Sequence, residues 1–242
     1  SPSPLHAAIG PHRRLAFARA PLSDLKAVKD AAGGTVNDVV LAVVAGALRG
    51  WLHARGLRAD GVELRACVPV STHPVQHDGR LGNQLAQAVA PLPVGEADPV
   101  ARLHQVTAAM EGLKDSHGAV GAQQIAATED LAPPTILARA SRLDFASSAY
   151  DLLVTNIPGP QQPLYLLGRR LTGLYPVSFL SDRRALAVAA MSYDGAVAFG
   201  LIGDLDAMPD VEVVADELGI ALDELLLATT GRRRQRERAG PR

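Results

Sequence analysis

Asn37 and Asp38 are the polar pair best placed for chemistry, because they stand at the start of a long apolar stretch. One interpretation is local: Asp38 complements the positive end of a helix, and Asn37 helps to cap it. The other is functional: an amide beside a buried apolar helix can donate a hydrogen bond to a carbonyl or a developing oxyanion. The residue types alone favour the local interpretation.

The segment from His73 to Gly79 superficially resembles the His-His-x-x-x-Asp-Gly motif of CoA-dependent acyltransferases. In that motif the second histidine is the general base. Aligning Asp78 with the motif aspartate places Pro74 where the catalytic histidine belongs, and proline accepts no proton. We therefore interpret the segment as an exposed loop, with His73 and His77 outside catalysis.

Two other polar residues stand at the ends of predicted strands. Asn156 precedes a Pro-Gly-Pro turn at 158–160, and Ser192 precedes an Asp-Gly turn at 194–195. Such residues are typical of turn chemistry, because Pro and Gly fix backbone dihedrals and Asn or Asp bonds to the local backbone. Polar residues at strand ends also line active clefts, and the spacing leaves both interpretations open.

Composition narrows the classes of protein. The 24 basic and 25 acidic residues nearly cancel, which does not suggest a nucleic-acid binder. A single cysteine, Cys67, excludes a disulfide framework and a cysteine-based zinc site, and its apolar neighbours predict a buried thiol. The motifs of dinucleotide sites, phosphate loops, serine hydrolases and zinc proteases are missing, which disfavours those classes.

The spacing of apolar residues predicts an α/β fold with a mixed sheet and packed helices. Strands are expected at 12–20, 62–70, 85–92 and 152–157, followed by a hairpin of 185–192 and 196–202 around a two-residue turn. Helices are expected at 21–32, from a Thr35 cap to about Arg55, at 98–114, at 133–145 and after Pro209. We predict one domain over 1–230 and a basic, poorly ordered tail over 231–242.

Taken in order, several short blocks resemble the C-terminal half of the bacterial wax ester synthase/diacylglycerol acyltransferase family. The longer blocks are Thr-Val-Asn-Asp at 35–38, Val-Pro-Val-Ser at 68–71, Leu-Gly-Asn at 81–83, Asn-Ile-Pro-Gly-Pro at 156–160 and Ser-Tyr-Asp-Gly at 192–195. Shorter blocks keep the same order at 47–49, 163–165, 175–176 and 199–200. Each block alone is a weak indicator of the family, whereas the order that the blocks share is highly specific for it.

The resemblance implies a chloramphenicol-acetyltransferase-like half, similar also to peptide-synthetase condensation domains, with two α/β halves forming a cleft. It implies acyl transfer from a fatty acyl-CoA to diacylglycerol or a long-chain alcohol, and so triacylglycerol or wax ester synthesis. The general-base histidine is expected in an N-terminal half absent from this chain, supplied in cis or in trans, so we expect this chain to be inactive alone. The cleft-lining residues expected here are Asn37, Asp38, Asn83, Asn156 and Ser192.

The same resemblance implies no metal and no cofactor, since CoA enters as part of a substrate. It implies a cytoplasmic protein, peripheral at membranes or lipid droplets, where the arginine tail could favour anionic surfaces. Two alternatives stay open. One is a non-catalytic module of the same fold that binds lipid or a partner, and the other is a transferase acting on carrier-bound acyl chains.

Overall fold

The computed structural model describes residues 3–71, 85–124 and 150–231, with side chains for 3–69, 88–113 and 150–231. In these ranges the strands are β1 (Arg13–Pro21), β2 (Leu64–Ser71), β3 (Leu85–Leu92), β4 (Leu152–Ile157), β5 (Tyr165–Leu166), β6 (Arg169–Arg170), β7 (Leu186–Tyr193) and β8 (Ala196–Asp204). The helices are α1 (Leu22–Ala32), α2 (Val36–Ala54), α3 (Pro99–Gln124) and α4 (Val211–Thr230).

Six strands form one mixed sheet in the order β1-β8-β7-β4-β2-β3. The central strands β2, β4 and β7 are parallel to one another, and the outer neighbours β1, β8 and β3 pair antiparallel. β7 and β8 form the predicted hairpin, in which Tyr193 pairs with Ala196 across Asp194 and Gly195. Both turn residues have positive φ, 44° and 81°, as a two-residue turn between twisted strands requires.

The two faces of this sheet carry different clusters, because successive side chains of a strand point to opposite sides. On β4, Leu152 and Val154 belong to the main core, whereas Leu153 belongs to a second, smaller cluster. Cys67 joins that smaller cluster, with Ala187 of β7 on the same face. The main core lies under the helices, so Asn156, in step with Val154, faces them too.

Helix α2 is the centre of the main core. Its residues are buried without interruption from Asp38 to Leu48, and Trp51 and Leu52 are buried near its end. A helix that is apolar on all sides belongs inside a domain. Burying each large side chain of this kind contributes about 1.5–3 kcal/mol, so α2 fixes the positions of α3 and α4, which pack against it.

The sheet face away from the helices is partly covered by the segment that follows β4. This segment contains the small hairpin β5–β6 and then returns across β8, where the Pro176 carbonyl lies directly over Gly200. A Cβ at Gly200 would overlap that carbonyl, so only glycine fits. Phe17 of β1 meets Tyr175 edge to face, with 5.3 Å between ring centroids.

The structure confirms the predicted α/β class with a mixed sheet and packed helices, and the predicted strands and helices in the described ranges fall close to their expected positions. Helix α3 continues to Gln124, ten residues beyond the expected end, because no proline or cap residue stops it at Lys114. The hairpin β5–β6 was not predicted, since two-residue strands leave no periodic signal. The predicted helix at 133–145 and the tail from 232 lie outside the described residues.

No single helix in the described ranges combines the length and the hydropathy needed to cross a membrane. Helices α1 and α2 pass that test only when they are taken together, and the chain bends by 102° between them.

Candidate functional site

The candidate site lies where the first turn of α2 reaches the carboxyl end of β4. Thr35 caps α2: its hydroxyl accepts from the Asp38 backbone N–H at 3.2 Å, while the Asp38 carboxylate accepts from the Thr35 N–H at 2.8 Å. This reciprocal capping box satisfies two helix-end donors and fixes the first turn. Ligands often bind at the carboxyl ends of parallel strands, where such helix ends are aimed.

Two of the predicted site residues meet here. The Asn156 side-chain amide donates to the Asn37 Oδ1 across a long contact of 3.4 Å, although 119 residues separate them in sequence. Both side chains are half-buried. Within the described residues, the Asn37 Nδ2 has no hydrogen-bond partner, so its two N–H groups remain available to an acceptor.

Asp38 has a structural place at this site. It is only 2% exposed, and one carboxylate oxygen closes the capping box. Its other oxygen, Oδ1, is buried with no hydrogen-bond partner among the described residues, as is the Thr107 hydroxyl of α3. Both side chains crowd Gly34, whose added Cβ would lie 2.7 Å from the Thr107 Oγ1 and 3.1 Å from the Asp38 Oδ2. Sequence reasoning missed Thr107, because no motif marks it.

Ser192 anchors the chain that follows β4. Its hydroxyl accepts from the Gly159 N–H at 3.1 Å and from the Gln161 side-chain amide at 3.0 Å. A Cβ at Gly159 would overlap the Ser192 carbonyl, so the two segments touch through backbone. The neighbouring Tyr193 hydroxyl accepts from the Leu164 N–H at 2.7 Å and donates to the Leu171 carbonyl at 3.1 Å. These contacts fix the base of the β5–β6 hairpin beside the site.

The remaining predicted residues are placed elsewhere or not described. Asn83, His73 and His77 lie outside the described residues. Cys67 is 1% exposed and burial raises the pKa of its thiol, which confirms the predicted core cysteine. In the part of the chain that the structure describes, no group of three or more His, Cys, Asp or Glu side chains is arranged to hold a metal ion.

The architecture defines the class of protein first. The structure matches a wax ester synthase/diacylglycerol acyltransferase from Marinobacter aquaeolei VT8 with a TM-score of 0.74 and 29% identity, over 95% of this chain and 52% of that one. It matches the epimerization domain from the third module of tyrocidine synthetase B with a TM-score of 0.57 and 12% identity, over 91% of this chain and 49% of that one. The fold is thus that of a chloramphenicol-acetyltransferase-like or condensation-like half.

Sequence comparison then identifies the family. The WS/DGAT C-terminal domain model matches residues 81–226, and the wax ester synthase/diacylglycerol acyltransferase catalytic domain model matches residues 1–40. Two proteins of Mycobacterium tuberculosis strain H37Rv, "Putative diacyglycerol O-acyltransferase Rv1760" and "Rv3480c", are 34% and 36% identical over 230 and 229 residues. Each match covers 93% of this chain and 45% or 46% of the relative. The chain belongs to the wax ester synthase/diacylglycerol acyltransferase family, and it spans about half the length of the relatives it matches.

Proposed function

We propose that this chain forms one wall of an O-acyltransferase cleft that moves a fatty acyl group from acyl-CoA to diacylglycerol or a long-chain alcohol. The observation that carries the proposal is the Asn37–Asn156 contact at the capped start of α2. The names of the relatives and family membership support the reaction class.

Asn37 would supply the donors that such a reaction needs. When the acceptor hydroxyl attacks the thioester carbonyl, the carbonyl oxygen becomes negative and is stabilised by positioned N–H groups. The Asn37 Nδ2 is available, and its Oδ1 is oriented by Asn156. The positive end of the α2 dipole adds to the stabilisation of negative charge there. Asp38 would position Asn37 through the capping box.

The general base would come from a complementary N-terminal half, in cis or in trans. The matched relatives are about twice as long as the aligned region, so half of their chain has no counterpart here. None of the described hydrogen bonds of Asn37 or Asn156 involves a histidine. The His6 ring contacts the Tyr150 carbonyl and the Asp151 carboxylate, just before β4 begins. This places His6 at the opposite end of β4 from Asn156.

An exposed apolar surface beside the site supports docking of that half. Ten of the fourteen exposed large hydrophobic side chains in the described residues lie on β1, at the end of β4 or on the segment after β4. This apolar flank comprises Leu15, Phe17, Ile157, Leu164, Tyr165, Leu166, Leu167, Tyr175, Val177 and Phe179. Exposed large apolar side chains concentrated on a few neighbouring segments are typical of an interaction site.

The test is acyl transfer from palmitoyl-CoA to hexadecanol and to dioleoylglycerol, with this chain alone and mixed with an N-terminal half. We expect turnover only in the mixture. In that mixture Asn37→Ala should lower kcat about 100-fold, as loss of an oxyanion donor does. The free energy of unfolding should change by less than about 0.5 kcal/mol, because Asn37 is half-buried and its described side-chain hydrogen bond is long, at 3.4 Å.

Gln162→Ala changes an exposed amide side chain in the segment after β4 and is the matched control. It should leave both kcat and the free energy of unfolding unchanged. Full activity of the Asn37→Ala mixture would refute the role of Asn37. Activity of this chain alone would place a base within these 242 residues. If the halves associate and remain silent with both acceptors, a non-catalytic binding module of the same fold is the correct description.

We further propose that the protein requires no cofactor, acts in the cytoplasm and meets its lipid substrates peripherally. The arginines of residues 231–242 support attraction to anionic lipid, at about 1 kcal/mol for each basic residue near the surface. Retention on anionic vesicles should fall with added salt. Equal retention on neutral vesicles at high salt would contradict this role.

A further inference from the structure

A cavity lies at the other end of α2, between α2, the start of α3 and α4. Its volume is about 470 Å³, within the range of small-molecule sites. It begins at Gly46 and reaches His53, which are about 14 Å and about 24 Å along the helix from Asn37 at 1.5 Å per residue. The cavity is therefore separate from the proposed acyl-transfer site, and ligand binding in it does not depend on that function.

One wall of the cavity is cationic. Arg102 of α3 is only 3% exposed; its Nε and Nη2 donate to the Glu96 carbonyl at 3.2 and 2.9 Å, and its Nη2 to the Ala97 carbonyl at 3.2 Å. Its Nη1 has no hydrogen-bond partner within the described residues and lies against Gly46, where an added Cβ would be 2.6 Å away. Arg49 stands beside it and donates to the Val94 and Gly95 carbonyls. A buried guanidinium with an unused donor thus lines the space.

Another part of the cavity lining, the acidic wall, carries carboxylates. Glu217 and Glu224 lie two turns apart on α4 and both line the cavity. The Glu217 carboxylate packs against α2 at Gly50, where an added Cβ would force this side chain to move. Burial, and then the charges of Glu224 and Asp216, raise the pKa of Glu217, and the nearby His53 lowers it. Glu217 is half-buried and Glu224 is exposed.

Burial lowers the pKa of Arg102 and the charge of Glu224 raises it, so the cationic and acidic walls lie within electrostatic reach of each other. Among the described ion pairs, Arg49 contacts Asp60 at 3.5 Å, and none joins either arginine to Glu217 or Glu224. Opposite charges that line one cavity without a direct ion pair leave both groups able to pair with a ligand that carries both charges. A lone anion would meet the carboxylates, and a lone cation would meet the arginines.

We propose that this cavity binds a small zwitterion, with its ammonium group at Glu217 and Glu224 and its carboxylate or phosphate at the Arg102 Nη1. The ligand carries the two charges a few atoms apart, as a free amino acid does or the phosphoethanolamine headgroup of a lipid does. The charged walls give orientation, because only one direction of the ligand pairs both of its charges. Charge-assisted hydrogen bonds at each end supply the affinity.

The test is isothermal titration of the full chain with phosphoethanolamine and with γ-aminobutyrate. Inorganic phosphate and ethylammonium serve as single-charge probes. We expect saturable binding of at least one zwitterion, at least about tenfold tighter than either single-charge probe. Vesicles with and without phosphatidylethanolamine distinguish a lipid headgroup from a free ligand.

Glu217→Gln with Glu224→Gln should weaken zwitterion binding about tenfold, whereas Glu111→Gln, an exposed charge-matched control on α3, should not. Ala97→Trp, at an exposed position of the rim, should abolish binding while the circular dichroism spectrum stays unchanged. Equal affinity for phosphate or ethylammonium alone would overturn the proposal. The absence of binding heat with either zwitterion up to about 50 mM would also overturn it. So would an unchanged zwitterion affinity in the variant that combines Glu217→Gln with Glu224→Gln.

Discussion

The two ends of α2 handle polar groups in opposite ways. At its first turn the polar atoms pair locally, because Thr35 and Asp38 close a capping box and Asn156 reaches Asn37. At its last turns Arg49 of α2 is joined by Arg102 of α3 and by Glu217 and Glu224 of α4, with no direct ion pair between these arginines and glutamates in the described residues. Between these ends the helix is buried and apolar.

The difference shows how one buried helix serves two surfaces. A helix that is apolar all round carries no chemistry along its length, so its functional groups concentrate at the ends. The first end offers helix N–H groups and needs few neighbours to bind negative charge. The last end has no free helix N–H groups, so a ligand there depends on side chains, from Arg49 of α2 and from the neighbouring helices.

The buried middle of α2 joins its two ends, and a substitution there is expected to have the largest effect on the free energy of unfolding. Leu48→Ala removes a fully buried side chain and should lower the free energy of unfolding by about 2–5 kcal/mol. Urea unfolding measures this, with Leu57→Ala, at 46% exposure, as a control expected to change it by less than about 0.5 kcal/mol. Equal effects at the two leucines would contradict the described core.

The charged anchor near the last turn of α2 comes next. Asp210 accepts from the Arg55 Nη2 at 2.6 Å and Nε at 2.8 Å, and from the Trp51 Nε1 at 3.0 Å. The hydrogen bonds from Arg55 lower the pKa of Asp210 below its ordinary value of 3.8. Asp210→Asn should therefore cost about 1–2 kcal/mol at neutral pH.

The pH dependence of this anchor follows from the sign of its pKa shift. Because the folded pKa of Asp210 is lowered, its contribution is complete above pH 3.8 and is lost as the pH falls through the folded pKa. Unfolding curves of the wild type and Asp210→Asn should thus converge on acidification below pH 3.8. A gap that persists or widens there would show that Asp210 acts by packing instead.

The capping box at the first turn of α2 should contribute less. Thr35→Ala removes the acceptor for the Asp38 N–H and should cost about 1 kcal/mol, whereas Thr35→Ser keeps the oxygen and should cost less. If the proposed acyl transfer occurs in the mixture with an N-terminal half, Thr35→Ala should also lower kcat by loosening the position of Asn37, whereas Asp210→Asn should leave kcat unchanged. Comparing kcat of the two variants separates the first end of α2 from the last.

The smallest effect is expected at Glu217, and its sign is opposite to that at Asp210. Because burial raises the pKa of Glu217 above its ordinary value of 4.5, ionisation costs stability as the pH rises through the folded pKa. Glu217→Gln should therefore stabilise the protein slightly at pH 8, by less than about 0.5 kcal/mol, and the gain should vanish below pH 4.5. Destabilisation at pH 8 would mean that the carboxylate is already paired.

Local sequence signals predicted most of the secondary structure in the described ranges. Thr35, the Asp-Gly pair at 194–195 and the spacing of apolar residues marked the α2 cap, the β7–β8 turn and the strands. These signals succeed because capping, turn geometry and amphipathic periodicity depend on a few neighbouring residues. The β5–β6 hairpin was not predicted, because it is held by hydrogen bonds with the distant Tyr193 hydroxyl and has no periodic sequence pattern.

The sequence by itself determined the fold class, the family resemblance and the residues Asn37 and Asn156 as candidates. Only the tertiary structure brought these two side chains together, since strand order and the position of α2 depend on contacts between residues far apart in the chain. The same holds for the cavity of Arg102 and Glu217, which no motif joins. The space lies where α2, α3 and α4 pack together near Gly46 and Gly50. Distances between residues that are far apart in sequence are set only when the core packs, so the sequence alone does not give them.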